Sequence, residues 1–117
     1  MKKYDLRERS YGFSLELVKF LNNLSLSKLS MLLISQLIRS GTSIGANIEE
    51  ADSSPTRKDY KYKMVVAKKE AAETKYWIRL IIESGALKND NNIIKANELL
   101  DEANQLLKIL GSIVIKL

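Results

Sequence analysis

The sequence predicts an all-α protein, an antiparallel up-down four-helix bundle forming one domain over residues 1–117. Three observations carry this. Apolar residues return every three or four positions in four separate stretches, the spacing that lines one face of a helix. Three short polar breaks, each with capping or turn residues, divide those stretches. No repeat of fixed length emerges and no low-complexity linker intervenes, which argues against a solenoid; the short turns argue against one long coiled coil.

Residues 1–5 read as a short polar lead. Leu6, Ser10, Phe13, Leu17, Phe20 and Leu24 then form the first stripe, and Tyr11, Val18 and Leu21 widen it. Gly12 lowers helix propensity without shifting the phase. Asn22-Asn23-Leu24-Ser25 marks the first turn, with Ser25 or Ser27 as cap for the second helix.

The second stripe is Leu26, Ser30, Leu33, Leu37, Ser40, Ile44, Asn47 and Ala51. Its later half is slender, because Ser40, Gly41, Ser43, Gly45 and Ala46 allow another backbone to come close. Each glycine costs about 1 kcal/mol of propensity relative to alanine, so a break at Gly41 or Gly45 is the alternative. The phase holds across both glycines, which favours a continuous helix ending near Asp52 or Ser53.

Pro55 suits the first turn of a new helix and restricts the residue before it. Ser54 or Thr56 can cap that helix, and Asp59 supplies a shortened capping box with Thr56. The third stripe is Tyr60, Met64, Ala67, Ala71, Thr74, Ile78, Ile81 and Gly85, on a helix over about 56–84 that would span roughly 43 Å. Ala67 and Ala71 are expected to lie against the slender half of the second helix. Ser84-Gly85 and Lys88-Asn89-Asp90-Asn91 signal the last connection. The fourth helix, starting near Asn89 or Asp90, carries Ile93, Ala96, Leu100, Ala103, Leu107, Leu110, Val114 and Leu117, with Gly111 loosening its end.

Composition narrows the chemistry. Hydrophobic residues make up 45% and charged residues 28%, the balance of a folded chain rather than a disordered one. With 19 basic and 14 acidic residues the formal charge is +5, a modest bias toward anionic partners. Cysteine and histidine are both absent, which removes disulfides, thiol nucleophiles, imidazole bases and the usual zinc ligands. Met1-Lys2-Lys3 is not followed by an apolar signal region, and no run approaches the roughly 20 apolar residues of a membrane span. A cytoplasmic location is expected, with no membrane partner.

Three groups of residues remain once the core is assigned. The third helix carries a second band of Tyr62, Val66, Lys69, Glu73, Trp77 and Leu80, with Tyr76 beside it. Large apolar groups there point to a subunit interface formed by Tyr62, Val66, Trp77 and Leu80, or else to a broad core with Trp77 at its edge. A basic run of Arg57, Lys58, Lys61, Lys63, Lys68 and Lys69, continued by Lys75 and Arg79, is the candidate nucleic-acid contact, or else a solvated helix face. It spreads around the helix rather than forming one stripe: Arg57, Lys61 and Lys68 share an approximate face, whereas Lys58, Lys69 and Arg79 are expected elsewhere. Arg39, Asn47, Glu50, Glu70 and Glu73 form a candidate structural polar cluster across the hairpin.

No catalytic, metal or cofactor site is assigned. Ser40 and Ser43 have no base partner, and Gly41-x-x-x-Gly45 lacks both the lysine and the preceding strand of a phosphate-binding loop. The Glu-x-x-His element of di-iron bundles is missing as well.

Two blocks carry a family resemblance: Gln36-Leu37-Ile38-Arg39-Ser40-Gly41-Thr42-Ser43-Ile44-Gly45-Ala46-Asn47-Ile48-Glu49-Glu50, and the helix-three block from Tyr60 to Trp77. With them the chain resembles the four-helix proteins encoded in intervening sequences of bacterial 23S ribosomal RNA genes, historically called the S23 ribosomal protein family. The resemblance covers nearly the whole chain. Ala51 stands where the family commonly has glycine, and Lys68-Lys69 where it often has Gly-Ser, so no ligand pocket is carried over. The resemblance implies a cytosolic bacterial protein and a cyclic homopentamer. The leading functional expectation is a non-enzymatic oligomeric bundle that binds structured RNA or another nucleic acid. The alternative is a structural protein-interaction module without specific nucleic-acid binding.

Overall fold

The structure, a computed structural model, describes residues 5–117. Of the polar lead, only Asp5 falls within that range. Four helices follow in order: α1 (Leu6–Asn22), α2 (Lys28–Asp52), α3 (Arg57–Glu83) and α4 (Asp90–Ile115). The connections are too short for anything but antiparallel neighbours. Each helix packs on the next and α4 returns to α1, while α2 and α3 share the most extensive interface.

Each helix starts where a short polar side chain can take up free backbone N–H groups. Asp5 accepts from Arg7 and Glu8, Ser27 from Ser30, Thr56 from Asp59, and Asn89 from Asn91 and Asn92. Asp59 does not complete the capping box expected with Thr56. Its carboxylate instead accepts from the Thr56 hydroxyl at 2.8 Å, because one methylene fewer than glutamate keeps it from the cap backbone. α3 stops at Gly85, whose φ of +78° is a conformation open to glycine at little cost.

One apolar cluster runs through all four helices, with Leu17, Ile44, Met64, Leu106 and Leu110 fully enclosed. The α3 stripe is buried from Met64 through Ala67, Ala71, Thr74 and Ile78 to Ile81. Three stripes sit differently from expectation: on α1, Leu21 is buried in place of Phe20, and Tyr11 and Val18, expected to widen the stripe, are exposed. On α4, Leu99 and Leu106 are buried in place of Leu100 and Leu107, and on α2 Ile34 and Ile48 are buried in place of Leu33 and Asn47. Adjacent apolar residues leave the phase of a stripe ambiguous by about 100°, and packing settles it.

α2 runs unbroken through both glycines, and its slender side faces α1 rather than α3. A Cβ on Gly41 would overlap Leu17 Cδ2, and one on Gly45 would sit 3.3 Å from the Ser10 carbonyl oxygen. The two glycines thus serve the close passage of α1, while Ala67 and Ala71 are themselves fully buried on α3. Toward α3, α2 presents Ser40, whose hydroxyl meets Thr74. α4 likewise passes through Gly111 and continues to Ile115, with the Lys68 stem alongside the glycine.

Ion pairs fasten α1 on both sides. Arg9 Nε and Nη2 donate to the two oxygens of Glu102 on α4 at 2.6 and 2.9 Å, and Arg7 Nε pairs with Asp52 of α2 at 2.9 Å. Lys95 Nζ reaches Glu16 at 2.8 Å.

Candidate interaction surfaces

The α2–α3 seam holds a polar chain that begins on Arg39. Its guanidinium donates to Glu70 Oε1 at 3.4 Å and to Glu73 Oε2, and Trp77 Nε1 donates to the same Glu73 oxygen at 2.9 Å. Glu70 is 15% exposed and Glu73 30%, so the arginine screens two carboxylates drawn partly out of water. Asn47 and Glu50, expected in the same cluster, lie elsewhere on α2. Asn47 Nδ2 donates to the Ser43 carbonyl of its own helix, and Glu50 accepts from Lys63 Nζ at 2.7 Å. That bond, ahead of the coulombic attraction, raises the Lys63 pKa above the ordinary lysine value.

The second band of α3 is split by its surroundings. Tyr62 is 64% exposed, whereas Val66 and Leu80 are half-buried. Trp77 packs its body against the core while its ring meets Tyr76 edge-on, centroids 5.0 Å apart. Tyr76 itself stays 60% exposed.

The basic run of α3 does not make a single surface. Lys63 turns toward α2 and its glutamate, Lys58 and Lys69 point outward, and the half-buried Lys68 stem lies beside Gly111 of α4. Lys75 Nζ, outside the six assigned cations, donates to Asn104 Oδ1 of α4 at 2.9 Å. Beside it opens a groove of about 620 Å³ between α3 and α4, lined by Lys75, Tyr76, Arg79, Asn97, Asp101 and Asn104 among others. The sequence offers Lys75 only as a continuation of the run, and Arg79, expected on another side of α3, lines the groove with it. What singles them out is a spacing of seven and then four from Lys68, which keeps them on one line of the helix.

Among the described residues, no group of three His, Cys, Asp or Glu side chains is placed to hold a metal ion. No helix among them is long and apolar enough to cross a membrane.

The described geometry has close counterparts in known proteins. A family model for the 23S rRNA-intervening sequence protein matches residues 2–112. The chain belongs to that family. A crystal structure of a protein with unknown function from the S23 ribosomal protein family of Bacteroides thetaiotaomicron VPI-5482 superposes with a TM-score of 0.77. It is 33% identical, over 93% of this chain and 97% of that one. No curated protein matches the chain. The family match thus takes in α1 to α3 whole and α4 up to residue 112 of this 23S rRNA-intervening sequence family member.

Proposed function

We propose that this family member is a non-enzymatic, homo-oligomeric interaction module of the cytoplasm, assembled through the outer face of α2 and α3. The observation that carries the reading is the apolar band left outside the core: Tyr62 largely exposed, Val66 and Leu80 half-buried, and Trp77 at its edge. Large apolar groups outside the core on one side of a helix, interrupted here by Lys69 and Glu73, are characteristic of contacts between subunits. The Arg39–Glu70–Glu73–Trp77 chain lies beside the band and fixes the side chains that border it. Resemblance to the S23 family gives a cyclic pentamer as the expected order, with 5 × (+5) = +25 formal charges on the assembly.

Light scattering over a concentration series tests this. The wild-type chain is expected at a fixed multiple of its own mass, and Tyr62→Glu and Leu80→Glu at a lower one with helical circular dichroism retained. A wild-type monomer at every concentration would overturn the assembly proposal. Loss of helicity in both variants would place the band in the core instead.

Binding of structured RNA is the second reading. The +5 charge and the family's description, which refers to 23S rRNA, support it. The scatter of Arg57, Lys58, Lys61, Lys63, Lys68 and Lys69 around α3 weighs against those six acting as one contact.

A further inference from the structure

Among the described residues, the ion pairs between α2 and α3 draw in Glu70, Glu73 and Lys63, and leave the other α3 cations out. Glu70 and Glu73 turn to Arg39 on α2, whereas Lys75 meets Asn104 on α4 and Arg79 lines the α3–α4 groove. At 3.6 residues per turn, Arg57, Lys61, Lys68, Lys75 and Arg79 fall within about 40° of one another, and their Cα atoms span roughly 33 Å. Arg57, Lys61 and Lys68 have no carboxylate within ion-pairing distance among the described residues. Lys75 is held by a neutral amide, and the Arg79–Glu83 pair is open to water, with side chains 72% and 63% exposed. A row of this kind is a line of positive potential with little internal neutralisation.

The groove beside the row adds groups that a mere charge surface would lack. Tyr76, 60% exposed, stands at its wall next to Arg79, and Asn97, Asn104 and Asp101 face them from α4. An aromatic face offers stacking to a base, amides and a carboxylate offer donors and acceptors to base edges, and the cations follow a phosphate backbone. An acidic peptide would use the cations and leave the aromatic wall idle.

We propose that the α3–α4 groove binds a single-stranded nucleic acid, its phosphates along Arg57, Lys61, Lys68, Lys75 and Arg79 and one base stacked on Tyr76. The proposal is independent of the subunit contact, which uses the opposite flank of α3. It replaces the six scattered cations by a different five: Lys58, Lys63 and Lys69 are excluded.

The test is fluorescence anisotropy of a labelled oligouridylate over a salt series, with the DNA equivalent, an RNA duplex and polyglutamate as competitors. Five phosphate contacts give log Kobs against log[salt] a slope of about −3.5 for a single strand. Replacing Lys61, Lys68 and Lys75 together by glutamine is expected to flatten that slope by about 2. Lys58→Gln/Lys69→Gln is expected to leave the slope near its wild-type value. Tyr76→Ala is expected to lose about five- to a hundredfold in affinity with the slope unchanged. The DNA strand is expected to compete as well as the RNA strand and the RNA duplex less well, since the contacts proposed are to phosphates and to one unpaired base. Four results would overturn the proposal: no saturable binding at low salt, equal competition by polyglutamate, indifference to Tyr76→Ala, or loss of assembly in the triple glutamine variant. The last would make the groove a subunit contact. Light scattering on each variant keeps this outcome separate from failure of the α2–α3 assembly face.

Discussion

Thr74 Oγ1 lies 3.0 Å from Ser40 Oγ across the α2–α3 interface, and both side chains are closed off from solvent. Each oxygen also sits near a carbonyl of its own helix: Thr74 is 2.8 Å from Glu70 O and Ser40 3.3 Å from Leu37 O. Two hydroxyl protons thus serve three contacts, so either hydroxyl can lose its partner and still bond locally. Ser40→Ala and Thr74→Val are each expected to cost about 1 kcal/mol in urea unfolding. The double variant should cost less than the sum, by about 0.5–1 kcal/mol. Strict additivity would show that the two oxygens do not interact.

Three glycines separate three physical effects. Gly12 has open space where a Cβ would stand, so Gly12→Ala should raise stability by about 0.5–1 kcal/mol through helix propensity alone. Gly41→Ala gains the same propensity but drives a methyl into enclosed Leu17, for a net loss of about 1–2 kcal/mol. Gly85→Ala meets no atom, yet at φ +78° it should still lose about 1 kcal/mol. Thermal melts of the three variants check both the signs and the order.

Arg39 is the only cation within ion-pairing distance of Glu70 and Glu73 among the described residues. Arg39→Leu leaves both carboxylates, neither well exposed, without a counter-charge and is expected to destabilise the bundle by about 1–2 kcal/mol. Adding Glu70→Gln should return part of that loss. If the double variant unfolds as easily as the single one, the seam is held by packing and not by charge.

Glu16 titrates below the ordinary glutamate value, chiefly because Lys95 Nζ donates to its carboxylate and then through their attraction. A lowered folded-state pKa contributes stability above the ordinary carboxylate range and loses it as pH falls through the folded value. The contribution is small because the carboxylate is open to water. Carbon-detected NMR should place the Glu16 midpoint below that of a free glutamate, and Lys95→Gln should raise it. An unchanged midpoint in Lys95→Gln would refute the assignment of the shift to Lys95.

The helices, their order and most of the α3 core were legible because one rule, a period of 3.6, acts within each segment. Between Ala67 and Ala71 stand only Lys68, Lys69 and Glu70, and charged Glu73 and Lys75 flank Thr74, so the middle of α3 selects one phase even though Val65-Val66 and Tyr76-Trp77 adjoin the stripe. Leu99-Leu100 and Leu106-Leu107 are doublets, and there the sequence is consistent with two phases. Partners across helices were harder, since they depend on how far one helix slides along the next. Arg39 opposite Glu70 and Glu73 could be anticipated from charge. Lys63 opposite Glu50 could not be set apart from its exposed neighbours without that register. The α3–α4 cation line was present in the spacing of 61, 68, 75 and 79, but only the position of α4 shows which side of α3 it occupies.

The turn between α2 and α3 spans only Ser53 to Thr56. Closing so short a connection sacrifices little chain freedom, and the two helices it joins then zip together through neighbours close in sequence. A refolding chain should therefore protect the backbone amides around Ser40 and Thr74 before those of α1, whose docking onto α4 has to bring together residues as far apart as Arg9 and Glu102. Pulsed hydrogen exchange would read that order in time, and α1 becoming protected first would reverse it.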